Sequence, residues 1–365
     1  MTALRRTTLL STLNAKPYSN WGNEDHALLS DIELVDNQQS VLDIELEEAA
    51  EKWLPIPFFP DLANDTRLPN WFLDGSVTSL EIAGSAIDNL GYPRVIRAGQ
   101  MGVGATCRTD GVRNRKEFWR FVALNAAGYT TAEINPLRTD LKQAEIPHEL
   151  LDWTPSSTKE QDAAFDLMSV RTLVRDQTRD EMLARERELV EAIAEPAYCD
   201  GRYVDHAPAN DDFLVVGVIK SQRAKYLSGK PLQVLYSLNE GERTPAFLIE
   251  RRRGQGRTRV GNQVITFYVR LTSPRLVGPG GGLARIEISE RYLRNQVRLG
   301  EKLINQGNQK LLSAIAADLT QLRTRDLTYA RGAVTVEPIR LIERELRLIF
   351  RDTQMAAMET MCLLN

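Results

Sequence analysis

The stretch that most constrains the fold is "FLVVGVI", residues 213–219, in which every position is apolar or glycine. A run this short and this uniformly apolar is typical of a β-strand buried on both faces. Further strand-like segments surround it, namely "YCDGRYVD", "LQVLYSL", "PAFLIER", "QVITFYVRL" and "ARIEISE". Because a sheet that is buried on both faces needs helices on either side, the sequence predicts an α/β fold with a mixed sheet flanked by helices.

The remaining patterns predict where helices and further strands lie. Residues 158–194 carry apolar residues at helical spacing and predict one long amphipathic helix or two, and residues 290–365 predict more helices. The segment "SVLDIELEEAAEKWL", residues 40–54, predicts another helix, which the Pro-rich "PIPFFP" ends. Residues 71–106 predict a β-meander in which the glycines of "GQMGVGAT" form a turn.

These elements suggest three parts of the chain. We expect an N-terminal helical extension over residues 1–55, a main domain over 56–350 and a C-terminal helical tail over 351–365. The N-terminal extension is the part we expect to contact a partner protein or a second subunit. A single elaborated α/β domain with added helices accounts for 365 residues about as well as two separate domains do.

Composition excludes several classes of protein. No apolar run approaches the roughly 18 residues that cross a bilayer, so we expect no membrane span. The apolar run after the two N-terminal arginines is shorter than the roughly 7 to 15 residues of a secretory segment. The three cysteines are far apart in the sequence and form no C-x-x-C pair, which predicts neither a disulfide framework nor a zinc site. A reducing, cytoplasmic location is therefore expected.

Several catalytic motifs are missing from the sequence. It contains neither G-x-x-x-x-G-K-[ST] nor G-x-S-x-G, and it has only three histidines. An ATPase, a kinase or a hydrolase with a serine triad is therefore not favoured. The net charge of −3 also argues against a uniformly basic coat for nucleic acid, although local basic clusters remain. Carboxylates are the residues on which a catalytic hypothesis depends.

Two aspartate-glycine pairs follow apolar stretches. Asp74 comes after "NWFL" and Asp200 comes after "PAYC", so we expect each at the end of a strand, where glycine lets the backbone turn sharply. Hard divalent cations bind carboxylate oxygens, and a nuclease needs several acids that converge from separate elements. Either pair alone is also a common turn sequence, so the turn interpretation stays open for each.

Other charged residues extend this hypothesis. Glu181 and Glu188 lie seven residues apart on the long helix and so share a face, although ordinary pairing with neighbouring arginines is the alternative. Lys220 directly follows the apolar strand, where a fixed cation is able to neutralise phosphate charge.

A basic cluster lies at the tip of a predicted hairpin. Its members are Arg251, Arg252, Arg253, Arg257 and Arg259. Arginines on such a loop are suited to sequence-independent contact with DNA phosphates. A solvated hairpin end or a contact with an acidic partner accounts for them equally well.

The order of these motifs resembles the NurA nuclease family. The segments that carry the resemblance are "WFLDGSVTSLEIAG", "RDEMLARERELVEAI", "YCDGRYVD", "FLVVGVIKSQRAKYL", "ITFYVRL" and "ARIEISE", within roughly residues 55–350. The resemblance implies an RNase H-like fold and a DNA nuclease that uses Mn²⁺ or Mg²⁺. It also implies a homodimer that works beside a HerA-type hexameric ATPase and translocase.

The resemblance assigns roles to individual residues. It makes Asp74 the first metal-binding acid, a helix glutamate the second and Asp200 the third, and Lys220 matches the family's lysine. Glu181 is the expected helix glutamate and Glu188 is the alternative.

The C-terminal signature of the family matches less well. The family has a tyrosine before a proline and a histidine at the start of the following helix, whereas "AVTVEPIRLIERELRLIF" keeps only Pro338. Glu345 falls about where the histidine is expected, with Glu343 as the alternative, and either carboxylate suits a hard cation.

Together these observations predict a two-metal deoxyribonuclease, and the resemblance implies that it acts in DNA end processing or in defence against phage. The incomplete C-terminal signature supports an alternative of another class, a catalytically weak NurA-like adaptor that caps or regulates a ring ATPase. An RNA-directed nuclease of the same fold is a further hypothesis.

Overall fold

The computed structural model describes most of the chain in nine ranges. They are residues 16–17, 40–85, 93–109, 114–154, 166–220, 226–253, 260–278, 280–326 and 332–364. Within these ranges the backbone forms a large mixed sheet with helices on both faces, which confirms the predicted α/β fold.

The described strands are β1 Lys16–Pro17, β2 Ser40–Asp43, β3 Ile56–Pro57, β4 Trp71–Ser85, β5 Arg94–Cys107, β6 Asn114–Asn125, β7 His148–Trp153, β8 Ala197–Asp200, β9 Val215–Ile219, β10 Glu242–Arg243, β11 Phe247–Arg253, β12 Val260–Arg270 and β13 Leu283–Ser289. The described α-helices are α1 Thr131–Gln143, α2 Leu167–Ile193, α3 Tyr203–His206, α4 Gly229–Ser237, α5 Pro274–Val277, α6 Glu290–Asn295, α7 Gln306–Leu322, α8 Glu337–Ile349 and α9 Thr353–Leu364. Short 3₁₀ turns cover Ala50–Lys52, Pro60–Asn64, Ala126–Gly128 and Gly332–Val334.

The sheet combines parallel and antiparallel neighbours. Its main path runs β2-β11-β12-β13-β9-β8-β4-β5-β6-β7, with β1, β3 and β10 at its margins. The pairs β4–β8, β8–β9 and β6–β7 are parallel, whereas β4 and β5 are antiparallel within the meander predicted for residues 71–106, and β6 continues it as an antiparallel strand that was not predicted. The short strand β8 therefore lies between β4 and β9 and is parallel to both.

Each face of the central strands has its own apolar core. On one face Phe72 and Tyr198 stack with ring centroids 5.5 Å apart, in a core that includes residues of α7 and α8. On the other face Leu73 and Cys199 pack in a core that includes residues at the C-terminal end of α2. Because successive side chains of a strand point to opposite faces, this alternation assigns the following residues of β4 and β8 to faces as well.

Helix α2 agrees with the predicted long amphipathic helix. It begins after Asp166, whose side chain accepts a hydrogen bond from the Ser169 amide at 2.8 Å, and it ends at Ile193, which Ala194 follows in a left-handed conformation. Helix α9 covers most of the expected C-terminal tail, and its Ala357 and Leu364 pack in a core with residues of β4, β5 and β6.

Four predictions of secondary structure were wrong. One is the second half of the predicted strand "YCDGRYVD", because Tyr203–His206 forms a helix. The other three follow. Residues 40–54 contain strand β2 and a 3₁₀ turn instead of a helix, and β2 pairs with β11. Glu47 in this segment forms a buried ion pair with Arg243 at 2.9 Å and so directs the chain toward the sheet. Most of the predicted strand "LQVLYSL" lies in helix α4, whose Val234 and Leu235 pack beside Trp53.

The fourth correction concerns the glycines of "GQMGVGAT", which lie within β5 instead of in a turn. A Cβ at Gly102 would lie 3.1 Å from Leu346, and one at Gly104 would lie 2.7 Å from Ile342. These glycines therefore let helix α8 approach the sheet closely, and α8 is the helix that carries Glu343.

Candidate functional site

Asp74 lies inside strand β4, not at its end as the sequence predicted. It pairs with Gly104 of β5, and Gly75 continues the strand opposite Val103. On its other side β4 pairs with β8 only as far as Leu73 and Cys199. The next step of the same parallel register places Asp74 beside Asp200. The Asp-Gly pair thus lies where the parallel pairing of β4 with β8 stops, and not at the end of β4 itself.

Asp200 is the last residue of β8, as expected, and Lys220 directly follows β9. Asp200 pairs with Val218, so Lys220, two residues further on, points to the same face. The Lys220 ammonium donates a hydrogen bond to Asp200 Oδ2 at 2.9 Å, and the lysine side chain is only 7% exposed. Asp74, Asp200 and Lys220 thus share the α8 face of the sheet where β8 ends.

The electrostatic state of Asp74 follows from this arrangement. Burial is the largest effect and raises the pKa of the Asp74 carboxyl well above its usual value, and the charge of Asp200 adds to it. Lys220 acts in the opposite direction, while the charges of Glu186 and Glu343 raise the pKa further. The Asp74 carboxyl is therefore surrounded by other acids with one nearby lysine to balance them.

Lys220 remains a cation in this surrounding. Burial disfavours its charged form, but Asp200 and Asp74 outweigh that effect and hold the pKa of Lys220 above its usual value. The lysine consequently contributes a fixed positive charge beside the two aspartates.

Glu186 is the glutamate of helix α2 whose charge acts on Asp74. It lies on α2 and is 2% exposed. A Cβ built on Gly75 would be only 2.4 Å from Glu186 Oε1, so the absence of a side chain at Gly75 makes room for this carboxyl group. Glu186 therefore reaches the sheet from the α2 face, beside Asp74.

His206 contacts the same glutamate from helix α3. Its Nε2 lies 2.8 Å from Glu186 Oε2, and its Nδ1 lies 3.0 Å from the carbonyl oxygen of Arg202. The histidine is 1% exposed. The pKa of His206 is raised, because the charge of Glu186 and its hydrogen bond outweigh the opposing effect of burial.

The structure does not bring Glu181 or Glu188 to this place. Arg185 donates a hydrogen bond to Glu181 at 2.9 Å and also lies 4.0 Å from Glu188, whose side chain is 66% exposed. This is the arginine pairing that the sequence left open as the alternative. Glu186 was missed, although the buried positions Thr178, Leu189 and Val190 at helical spacing place it on the apolar stripe of α2.

Helix α8 brings one of its two proposed glutamates toward the site. Glu343 acts electrostatically on both Asp74 and Lys220, and it accepts a hydrogen bond from Arg347 at 2.6 Å. Glu345 instead forms an ion pair with Lys116 of β6 and is 44% exposed. The alternative residue, Glu343, is therefore the one that faces the two aspartates.

An ion pair between the partly exposed Arg108 and the buried Asp318 supports the strands below the site. Arg108 donates two hydrogen bonds to Asp318 of α7, at 2.9 and 2.7 Å, and Tyr198 donates to the same carboxylate at 2.8 Å. The Arg108 guanidinium also lies 5.2 Å from the ring centre of Phe72. Since Phe72 and Tyr198 each precede a site aspartate by two residues, this network holds both strands on the α7 side.

The proposed DNA-binding arginines lie largely outside the described residues. Arg257 and Arg259 fall in the undescribed range 254–259, while Arg251, Arg252 and Arg253 contribute only their backbone, at the end of β11. Their contact with DNA stays a prediction.

The donor set suits a hard cation in its chemistry, because every acid offers carboxylate oxygens. Within the nine described ranges, however, no group of three or more His, Cys, Asp or Glu side chains is already arranged to hold a metal ion. The alternation of β4 explains part of this result, since Asp74 points to the α8 face and Glu186 approaches from the α2 face.

In the same described ranges, no helix is long and apolar enough to cross a membrane.

Comparison with known proteins adds no assignment. No protein-family model matches the chain, and no curated protein matches it at a significant level.

Proposed function

We propose that this chain is a divalent-metal-dependent deoxyribonuclease. The observation that carries the proposal is the meeting of Asp74, Asp200 and the buried Lys220 on one face of the sheet, where β8 ends. Paired carboxylates beside a fixed cation at the end of a strand are the groups that phosphodiester hydrolysis uses.

Asp74 and Asp200 are the residues that would hold Mn²⁺ or Mg²⁺. Glu343 and Glu186 are the further carboxylates whose charges act on Asp74. A divalent cation bound there would supply Lewis acidity, which activates water and stabilises charge on a phosphodiester oxygen. The charges of Asp200, Glu186 and Glu343 all act against ionisation of Asp74, and a shared divalent cation would relieve that repulsion.

Lys220 has a separate role in this proposal. Lys220 bonds to Asp200 and is buried, so its ammonium has little freedom to move away. Its charge would balance the phosphate group of the substrate next to the two aspartates. Arg251, Arg252, Arg253, Arg257 and Arg259 would hold the DNA backbone at a distance from the reacting bond.

The motif order that resembles the NurA family supports the rest of the proposal. By that resemblance we expect an RNase H-like fold, a homodimer and a HerA-type hexameric ATPase that delivers DNA, in the cytoplasm. DNA end processing and antiviral defence are the two settings that the resemblance suggests.

Degradation of linear DNA with Mn²⁺ tests the proposal. We expect Asp74→Ala and Asp200→Ala to lower the rate at least about 100-fold, because each removes a group that stabilises charge in the transition state. Asp152→Ala is the matched control, since Asp152 lies on β7 and pairs with Arg138 at the surface. Equal degradation by all four proteins would exclude the proposed mechanism.

A catalytically weak adaptor of a ring ATPase is the second candidate. The observation that favours it is that the described residues contain no ready-made group of three metal ligands. For an adaptor, Asp74→Asn would leave both assembly with the ATPase and the biological effect intact. For a nuclease, the same change would spare assembly and abolish the effect.

A further inference from the structure

We propose that His206 is a positioning residue that holds the Glu186 carboxylate against Gly75, and that DNA cleavage depends on this contact. The inference rests on the proposed nuclease function and adds a residue to its site. The observations are the 2.8 Å separation of His206 Nε2 and Glu186 Oε2 and the burial of both side chains.

The hydrogen bonds determine what His206 does. The Arg202 carbonyl oxygen only accepts, so His206 Nδ1 carries a hydrogen and donates it. The contact between His206 Nε2 and Glu186 Oε2 then holds one proton. With both ring nitrogens engaged, the imidazole has a single orientation, and Glu186 Oε2 is bound in a fixed place.

The segment that carries His206 is itself tightly packed. A Cβ at Gly217 of β9 would lie 2.5 Å from the Tyr203 amide nitrogen and 2.8 Å from the Gly201 carbonyl oxygen, so the backbone of residues 201–203 rests directly on β9. The Tyr203 amide donates to Glu287 Oε2 at 3.2 Å. The N-terminal end of helix α3 therefore contacts two strands, β9 and β13.

An ion pair between Arg202 and Asp205 lies within the same segment. The Arg202 guanidinium donates two hydrogen bonds to Asp205, each at 2.8 Å. The carbonyl group that orients His206 thus belongs to a residue whose side chain is fixed as well. The short segment from Asp200 to His206 provides one site aspartate at its start and the support for Glu186 at its end.

This geometry resembles the outer support of metal sites in general, where a hydrogen-bonded neighbour sets the orientation of an acid or imidazole. Glu186 approaches Gly75 with one carboxylate oxygen while His206 binds the other. Without His206, the Glu186 carboxylate would be free to rotate away from the position beside Asp74.

Two polar substitutions separate this role from a general effect on folding. Glutamine reaches the position of Nε2 and keeps an N–H donor for Glu186, whereas asparagine reaches only the position of Nδ1. We expect His206→Asn to lower the rate of DNA cleavage about 10- to 100-fold and to weaken the binding of Mn²⁺ measured by calorimetry without DNA, and so to raise the Mn²⁺ requirement. We expect His206→Gln to recover most of that loss.

A second buried histidine, His148 on strand β7, provides a matched control. His148 is 4% exposed, and its ring nitrogens lie 2.7 Å from the Ile146 carbonyl oxygen and 3.0 Å from Thr360 Oγ1. His148→Asn should lower the melting temperature without changing the Mn²⁺ requirement or the activity per folded molecule.

The outcomes distinguish the two proposals. A wild-type protein that cleaves DNA, together with a folded His206→Asn variant that has the wild-type rate and Mn²⁺ requirement, would overturn the role of His206 alone. Equal losses in His206→Asn and His206→Gln would overturn it too, since only one of them lacks the donor. A wild-type protein with no cleavage under any metal condition would overturn the nuclease function and, with it, this inference.

Discussion

The aspartate-glycine pairs at residues 74–75 and 200–201 have the same sequence and different structures. Asp74 and Gly75 lie within a long strand, paired with Gly104 and Val103. Asp200 ends its strand, and Gly201 takes a φ of 102°, a backbone conformation that suits glycine. One glycine is needed for the space above it and the other for its backbone angle.

The same dipeptide therefore has two different structural roles at one site. At Gly75 the missing side chain admits Glu186 from the α2 face. At Gly201 the chain turns into helix α3, which carries His206 to the same glutamate. The following predictions test this distinction, from the largest expected effect to the smallest.

Of the glycine substitutions, Gly75→Ala should damage activity more. Its Cβ would overlap Glu186 Oε1, and His206 leaves the carboxylate little freedom to move aside. A displacement of about 1 Å at a catalytic group costs about 100-fold in rate, so we expect a loss of that order with Mn²⁺ and linear DNA. Ser76→Ala, at the next residue of β4, is the control, and equal activities of the two variants would contradict the spatial role of Gly75.

Asp200→Asn and Asp74→Asn should change stability in opposite directions in the metal-free protein. Asp200→Asn leaves the buried Lys220 without its hydrogen-bonded carboxylate, which should cost about 1 to 3 kcal/mol of unfolding free energy at neutral pH. Asp74→Asn should raise that free energy, because burial and Asp200 disfavour the ionised Asp74 in the folded state. Urea denaturation in the presence of a chelator measures both effects.

The pH dependence of the unfolding free energy provides a second test of the stabilising effect of Asp74→Asn. Because the folded-state pKa of Asp74 lies above the unfolded value, this carboxyl group lowers stability progressively as the pH rises from the unfolded pKa to the folded pKa, and by a constant amount above the folded pKa. The advantage of Asp74→Asn should therefore be present at neutral pH and vanish as the pH falls below 3.8, the ordinary pKa of the group. An advantage that is independent of pH would show that charge is not its cause.

Gly201→Ala should reduce stability by about 1 to 2 kcal/mol, because a side chain is strained at this backbone angle. The space itself is open, with His206 Cε1 the nearest atom at 3.7 Å from the added Cβ. Activity should fall less than for Gly75→Ala. Gly241→Ala is matched, since Gly241 has a φ of 88° and no atom within 4 Å of an added Cβ. Similar thermal shifts in both variants support a backbone effect.

Glu181→Gln and Glu188→Gln should have the smallest effects. Each removes a partly exposed contact with Arg185, and exposed pairs of this kind contribute about 0.3 to 0.5 kcal/mol. Activity should stay within about twofold of the wild type, in contrast to Glu186→Gln. A large loss of cleavage in Glu181→Gln with Glu186→Gln fully active would reverse the assignment of the helix glutamate.

The sequence predicted the elements whose signals are local. The apolar run "FLVVGVI" indicated the buried strand β9, and helical spacing indicated α2. Residues 40–54 were misread because their helical spacing competes with a tertiary contact, the buried pair of Glu47 and Arg243. That contact links positions far apart in the chain, so no local pattern reveals it.

The site was predictable to a similar extent. Asp200 and Lys220 sit at strand ends, where the pattern placed them, and the structure brings them within 2.9 Å. The choice among the glutamates of α2 depended on which face meets the sheet, and an acid within the apolar stripe was the overlooked signal. His206 has no comparable signal, because its partner Glu186 lies on another helix.

The ion pair of Arg108 and Asp318 has a consequence for the order of folding. The two residues are 210 positions apart, and Tyr198 and Asp318 are 120 apart, so closing these loops has an entropic cost that local structure does not offset. The contacts that Arg108 and Tyr198 make with Asp318 under the two aspartates form only when helix α7 has docked. A chain that ends before α7, whether newly synthesised or cut by a protease, would lack this support, so we expect the site to assemble only in a nearly complete protein.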